Sequence, residues 1–111
     1  MAEYKRYITQ IQENGNVMIS EDVVCTIVGH AALEVEGVDA LVAKKSWGKS
    51  IKILIGEDNA LTIDCNISVK FGNAVVSVAK NVQEHVTNSV ESMTGVKVAA
   101  MNVNVCGIGR Q

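Results

Sequence analysis

Residues 61–95, LTIDCNISVKFGNAVVSVAKNVQEHVTNSVESMTG, carry two periods in succession. Leu61, Ile63, Cys65, Ile67, Val69 and Phe71 alternate with Thr62, Asp64, Asn66, Ser68 and Lys70. Successive side chains of a strand point to opposite faces, so this alternation predicts a half-buried strand. After Gly72 the apolar residues Val75, Val78, Ala79, Val82, Val86, Val90 and Met93 recur every three or four positions, as on one stripe of a helix. Thr94 and Gly95 end that helix.

Working outward, Val96 and Val98 alternate in one parity, and Met101, Val103 and Val105 in the other. A bulge near Ala99 and Ala100 restores one buried face. The helix between them is long enough for the 61–71 and 96–106 strands to run parallel through a crossover. The tail GIGRQ is read as fraying, with 109–111 beyond the domain. On the other side, Ile51, Ile53 and Ile55 alternate, and Gly56, Glu57, Asp58 and Asn59 turn the chain back, which predicts a hairpin.

Val38 to Ala43 reads as a strand, followed by the basic connection KKSWGKS. Before it, Ser20 is a helix N-cap with Glu21 and Asp22 against the positive end of the helix dipole. Val23, Val24, Ile27, Val28, Ala31, Ala32 and Val35 form the stripe of this first helix, and Gly37 stops it. Val17 to Ile19 is a short strand preceded by a turn at Asn14 to Asn16, and residues 1–13 have no long-range period and read as a flexible arm. The expected fold is α+β, in the order β-α-β-β-β-α-β, with two helices on one face of a mixed sheet and a single domain over 14–108.

A chain of 111 residues buries about two thirds of its unfolded surface without metal or disulfide support. Ten basic and twelve acidic residues give a net charge of −2, so no global field attracts nucleic acid or an anionic membrane. No apolar run reaches the length that spans a bilayer, and the N-terminal residues do not resemble a signal peptide. Cys25, Cys65 and Cys106 lack metal-ligand spacing and lie in apolar patterns, which predicts reduced, buried thiols in a cytoplasmic protein.

Catalytic chemistry is sparse. Gly48-Lys49-Ser50 resembles the end of a phosphate-binding loop, but Ala43 stands where that motif requires glycine, and a strand follows instead of a helix. His30 and His85 belong to different helices with no ligand set around either, and the acidic pairs are explained by a helix start and a turn. No catalytic, cofactor or metal residue is nominated. Two surfaces are candidates for binding. Lys44, Lys45, Lys49 and Lys52 surround Trp47, a basic patch with one aromatic suited to an acidic partner, a lipid headgroup or RNA. Gln83, Glu84, Asn88 and Glu91 form a polar helix face of little net charge, suited to self-association.

GNVMISEDVV at 15–24, AALEVEGV at 31–38, VKFGNAVVSVAKNVQEHV at 69–86 and the Met93-Thr94-Gly95 step into VNVCGI together resemble the alkaline shock protein family, the Gls-type envelope stress response proteins of Gram-positive bacteria. The similarity runs from about Gly15 to Ile108. It departs from the family pattern at Phe71, where many relatives carry tyrosine, at Cys106, and in a compact 44–59 region. The resemblance implies a non-enzymatic, self-associating cytoplasmic protein without cofactors, held in some members at the inner membrane face by a separate anchor protein. The expected partners are a second copy, a small membrane-anchor protein or a lipid-metabolism enzyme; neither nucleic acid nor direct membrane insertion is expected.

Two rival readings stand beside the envelope scaffold. A regulatory module would act on a lipid-metabolism enzyme through Lys44 to Lys52. An RNA-binding adaptor is the third, although the chain has no G-x-x-G loop between helices and no aromatic pair on a central strand.

Overall fold

The computed structural model describes residues 4–43 and 49–109. The chain runs β1 (Tyr7–Gln12), β2 (Gly15–Ser20), α1 (Glu21–Glu34), β3 (Val38–Leu41), β4 (Ile51–Ile55), β5 (Leu61–Lys70), α2 (Val75–Thr94) and β6 (Val98–Gly109). The α+β class and the later elements follow the expected order, with one strand added at the front.

β5 is the axis of the main sheet. One of its edges pairs along its whole length with β6, in parallel. The other is shared end to end: β4 pairs antiparallel with Leu61–Cys65, and β3 with Ile67–Val69. α1 packs on β3 and β4, α2 on β6, and the helices on each other. Leu61, Ile63, Cys65, Ile67 and Val69 are fully buried beneath them, together with Val24 and Val28 of α1 and Val82, Val86 and Val90 of α2. Burying each such side chain contributes about 1.5–3 kcal/mol, so this layer dominates the stability of the domain.

The bulge expected near Ala99 is present: Leu61 faces Val98 and Thr62 faces Ala100, leaving Ala99 over. A second register shift leaves Cys106 over between Val105 and Gly107. The two together keep Val98, Met101, Val103, Val105 and Ile108 beside inward-facing residues of β5. The GIGRQ tail is therefore corrected as far as Gly109, which pairs with Lys70.

The arm is corrected too. Tyr7–Gln12 is a strand paired with Gly15–Ser20 around a Glu13-Asn14 turn, and Ile8 is fully buried. Its base is tied down from outside: Lys5 N–H donates to Ile55 O, Glu21 N–H to Arg6 O, and Gln10 Nε2 to Thr94 O at 2.9 Å.

Helix boundaries obey local chemistry. The Val23 N–H donates to Ser20 Oγ at 3.3 Å, the expected cap. At the end of α2, Gly95 is left-handed with φ 76° and its N–H donates to Glu91 O, while Thr94 Oγ1 donates to Val90 O. Four residues counted as core lie outside it: Val23 and Cys106 are exposed, and Phe71 and Met93 are 60% and 68% exposed. Phe71 falls beyond the last paired residue of β5, and Met93 lies off the buried row of α2, which runs in steps of four from Val78 through Val90 to Thr94.

Candidate functional site

The loop carrying the basic patch is rooted at a single residue. Val42 N–H donates to Asn66 O at 2.8 Å, and Asn66 N–H donates to Ser50 O at 2.9 Å. The chain therefore leaves the sheet after Val42 and rejoins it at Ser50 on either side of one backbone unit. Lys44, Lys45 and Trp47 lie outside the described residues. Lys49 stands exposed at the foot of the loop, and Lys52 sits on β4 opposite Asp64. Both lysines line a cavity of about 280 Å³ with Glu21, Asp22, Cys25 and Ile51. Acidic and basic groups share that cavity, so it does not form a purely cationic site.

Asn66 itself faces away from the helices, on the side that alternation assigns to solvent, yet it is 0% exposed. Its Oδ1 accepts from Asn104 Nδ2 at 2.9 Å, while its Nδ2 is buried without a hydrogen-bond partner among the described residues. Ser68, on the same face, is buried as well, and its hydroxyl donates to Asp39 Oδ2 at 3.1 Å.

The thiols separate by environment. Cys65 is buried, as expected, and burial pushes its pKa up to about 11, with smaller contributions from Cys25 and Cys106. Cys25 is half-buried; burial raises it, and the Lys49 ammonium partly opposes that. Cys106, read as core, is exposed, because it is the extra residue of the second bulge. His85 Nε2 lies 3.0 Å from Glu34 Oε1, joining the helices at the surface. Among the described residues no group of three His, Cys, Asp or Glu side chains is placed to hold a metal ion.

The polar face of α2 divides. Gln83 Nε2 donates to Met101 O at 3.0 Å, and Glu91 Oε2 accepts from Val98 N–H at 3.0 Å. Both side chains thus reach the backbone of β6, which sequence periodicity has no means to show. Glu84 and Asn88 remain exposed.

Apolar side chains are exposed at both ends of the molecule, which measures 52 × 27 × 18 Å. At the end where β5 begins, the β1–β2 ribbon exposes Tyr7, Ile11, Val17 and Met18, with Ile11 at 84%. At the end where β5 stops, Phe71, Val76 and Ile108 are exposed. No helix among the described residues is long and apolar enough to cross a membrane.

In fold, the chain is similar to the solved MamM CTD, with a TM-score of 0.54 at 18% identity, over 82% of this chain and 93% of that one. In sequence, it is 34% identical over 102 residues to protein Spy1535 of Streptococcus pyogenes serotype M6, covering 85% of this chain and 79% of that protein. Protein YqhY of Bacillus subtilis is 31% identical over 105 residues, covering 85% and 77%. A family model matches residues 9–110, nearly the whole described domain, and the chain belongs to that family: the alkaline shock protein 23 family, cell envelope-related function.

Proposed function

We propose that this protein is a non-enzymatic, self-associating component of the cell envelope machinery, residing in the cytoplasm and held at the inner membrane face by a separate anchor protein. The observation that carries this reading is the pair of apolar surfaces at opposite ends of one elongated domain. A two-stranded ribbon is marginal in water without a further layer, and here its outer half, with Ile11, Val17 and Met18, remains exposed. Exposed apolar patches of this kind mark contact surfaces. Glu84 and Asn88 supply the exposed polar part of the helix face assigned to self-contact, whereas Gln83 and Glu91 act inside the chain.

Light scattering coupled to size-exclusion chromatography tests this reading. The chain is expected to form oligomers as its concentration rises, and Ile11→Ser with Met18→Ser to lower the oligomer size without changing its circular dichroism. A strict monomer at every concentration removes the reading.

A second reading is favoured by the way Val42 and Ser50 meet at Asn66, which brings the two ends of the basic segment together on β5. In it, Lys44, Lys45, Trp47, Lys49 and Lys52 bind an acidic surface of a lipid-metabolism enzyme. Changing Lys44, Lys45 and Lys49 to Glu is expected to abolish recovery of that partner while leaving oligomer size unchanged. Undiminished recovery eliminates it.

A further inference from the structure

β6 is a twelve-residue strand at the edge of the sheet, and among the described residues it pairs with β5 alone. Its sequence, VAAMNVNVCGIG, has no charge and no proline. Natural edge strands are ordinarily shielded by charges, prolines or a covering element, because a bare row of N–H and C=O groups pairs with other chains. Apart from the bulges at Ala99 and Cys106, a shield exists here over only part of the length. Glu91 takes the Val98 N–H and Gln83 takes the Met101 C=O, so α2 blocks the beginning of the strand. By strand alternation the next outward-facing backbone groups belong to Val103 and Val105, and no described side chain bonds them. Ile108 is exposed at the same end, with Phe71 and Val76 nearby in the chain path.

We propose that residues 102–109 of β6 pair with the same stretch of a second copy, antiparallel about a two-fold axis, so that two sheets join into one. This inference rests on the self-association reading and adds a second contact to it, at the opposite end of the molecule from the ribbon. The occupant follows from the strand itself. An uncharged edge offers nothing to select an acidic or a basic peptide, whereas a two-fold copy supplies a donor for every acceptor and an acceptor for every donor. The blocked start of the strand sets the register. Pairing of 102–109 with itself puts the axis between Val105 and Cys106 and sets Ile108 beside the second copy's Val103, apolar against apolar. Gln83 and Glu91 act as stops that prevent the pairing from sliding toward Val98.

The test is residue-resolved hydrogen exchange on the full chain at concentrations below and above association. The amides of Val103 and Val105 are expected to exchange at least tenfold more slowly in the associated protein. The variant Asn102→Lys with Cys106→Lys places charges at two exposed positions of the open stretch, and is expected to weaken association at least tenfold with an unchanged circular dichroism spectrum. If the protein associates while both amides exchange at an unchanged rate, the β6 interface is wrong and self-association stands. If it associates as tightly with both lysines in place, the interface is equally overturned. A chain that never associates overturns the interface and the self-association reading together.

Discussion

Asn59 and Thr9 are joined through both ends of one side-chain amide. Oδ1 accepts from the Thr9 N–H at 3.4 Å, and Nδ2 donates to the Thr9 C=O at 3.1 Å. Lys5 Nζ adds a third bond, to the same Oδ1, at 2.8 Å. The amide takes the place of a neighbouring strand for β1. Asn59 does this from the left-handed region, φ 66°, where asparagine is among the few tolerated side chains. Asn59→Gly keeps that backbone and removes the amide, so it is expected to cost about 1–2 kcal/mol in urea denaturation and to speed exchange of the β1 amides. Asn59→Ala is expected to cost about 1 kcal/mol more, from the strained φ. Unaltered exchange at β1 would show that the ribbon is held by something else.

Gly37 has φ 97°, and a Cβ added there would stand 2.7 Å from Val78 Cγ2 and 3.3 Å from Asn73 Oδ1. Gly37→Ala therefore combines backbone strain with a clash against the first turns of α2. A loss of about 2–4 kcal/mol is expected, measured as a fall in the denaturation midpoint. A change below about 0.5 kcal/mol contradicts this packing.

Deleting Ala99 removes the first bulge and makes Val98 and Ala100 consecutive opposite Leu61 and Thr62, so Met101, Val103 and Val105 keep their places beside inward-facing residues of β5. The deletion variant is expected to fold, read by retained cooperative unfolding. Substituting Ala99→Ser keeps the bulge and is expected to stay within about 0.5 kcal/mol of the parent. A deletion variant without cooperative unfolding would mean that the bulge itself is required.

The thiols give a pH prediction. The pKa of Cys65 in the folded chain is raised from 9.0 to about 11 by burial, so the folded state holds that proton more tightly than the unfolded one. Its contribution is complete below about pH 9 and is lost as pH rises through about 11, to a total of roughly 2–3 kcal/mol. Cys65→Ala is expected to flatten the loss of stability over that interval. A thiol reagent at neutral pH is expected to modify exposed Cys106 first, half-buried Cys25 next and Cys65 only on unfolding. Early modification of Cys65 would contradict its burial.

The sequence made β5 and α2 legible because each keeps one period long enough to be counted. The first bulge was legible for the same reason: Val98 and Met101 are three apart where a strand requires two. Val105 and Ile108 carry the same signal, but it falls among glycines that also read as a tail. Phe71 continues the strand pattern past the last paired residue of β5, and Met93 continues the helix stripe at a turn where the buried row has moved to Thr94. The β1 strand is hidden for a different reason. YITQIQ has an ambiguous pattern, and its place is fixed by Asn59 and Thr94, distant residues that bond to it through tertiary contacts. Of the candidate surface residues, Glu84 and Asn88 are exposed as expected. Gln83 and Glu91 are spoken for by β6, through side-chain to backbone bonds that periodicity does not encode.

The meeting of Val42 and Ser50 on Asn66 also bears on how this fold can vary. Both strands that flank the excursion are already registered on β5, and the two bonds at Asn66 close the gap between them. Length added between Val42 and Ser50 leaves every one of those pairings intact, and doubling a loop costs only about 0.6 kcal/mol. The domain thus has a built-in insertion port. Descendants of one ancestor can differ there by whole segments while sharing the same core, and a reporter peptide grafted at that point is carried without disturbing the sheet.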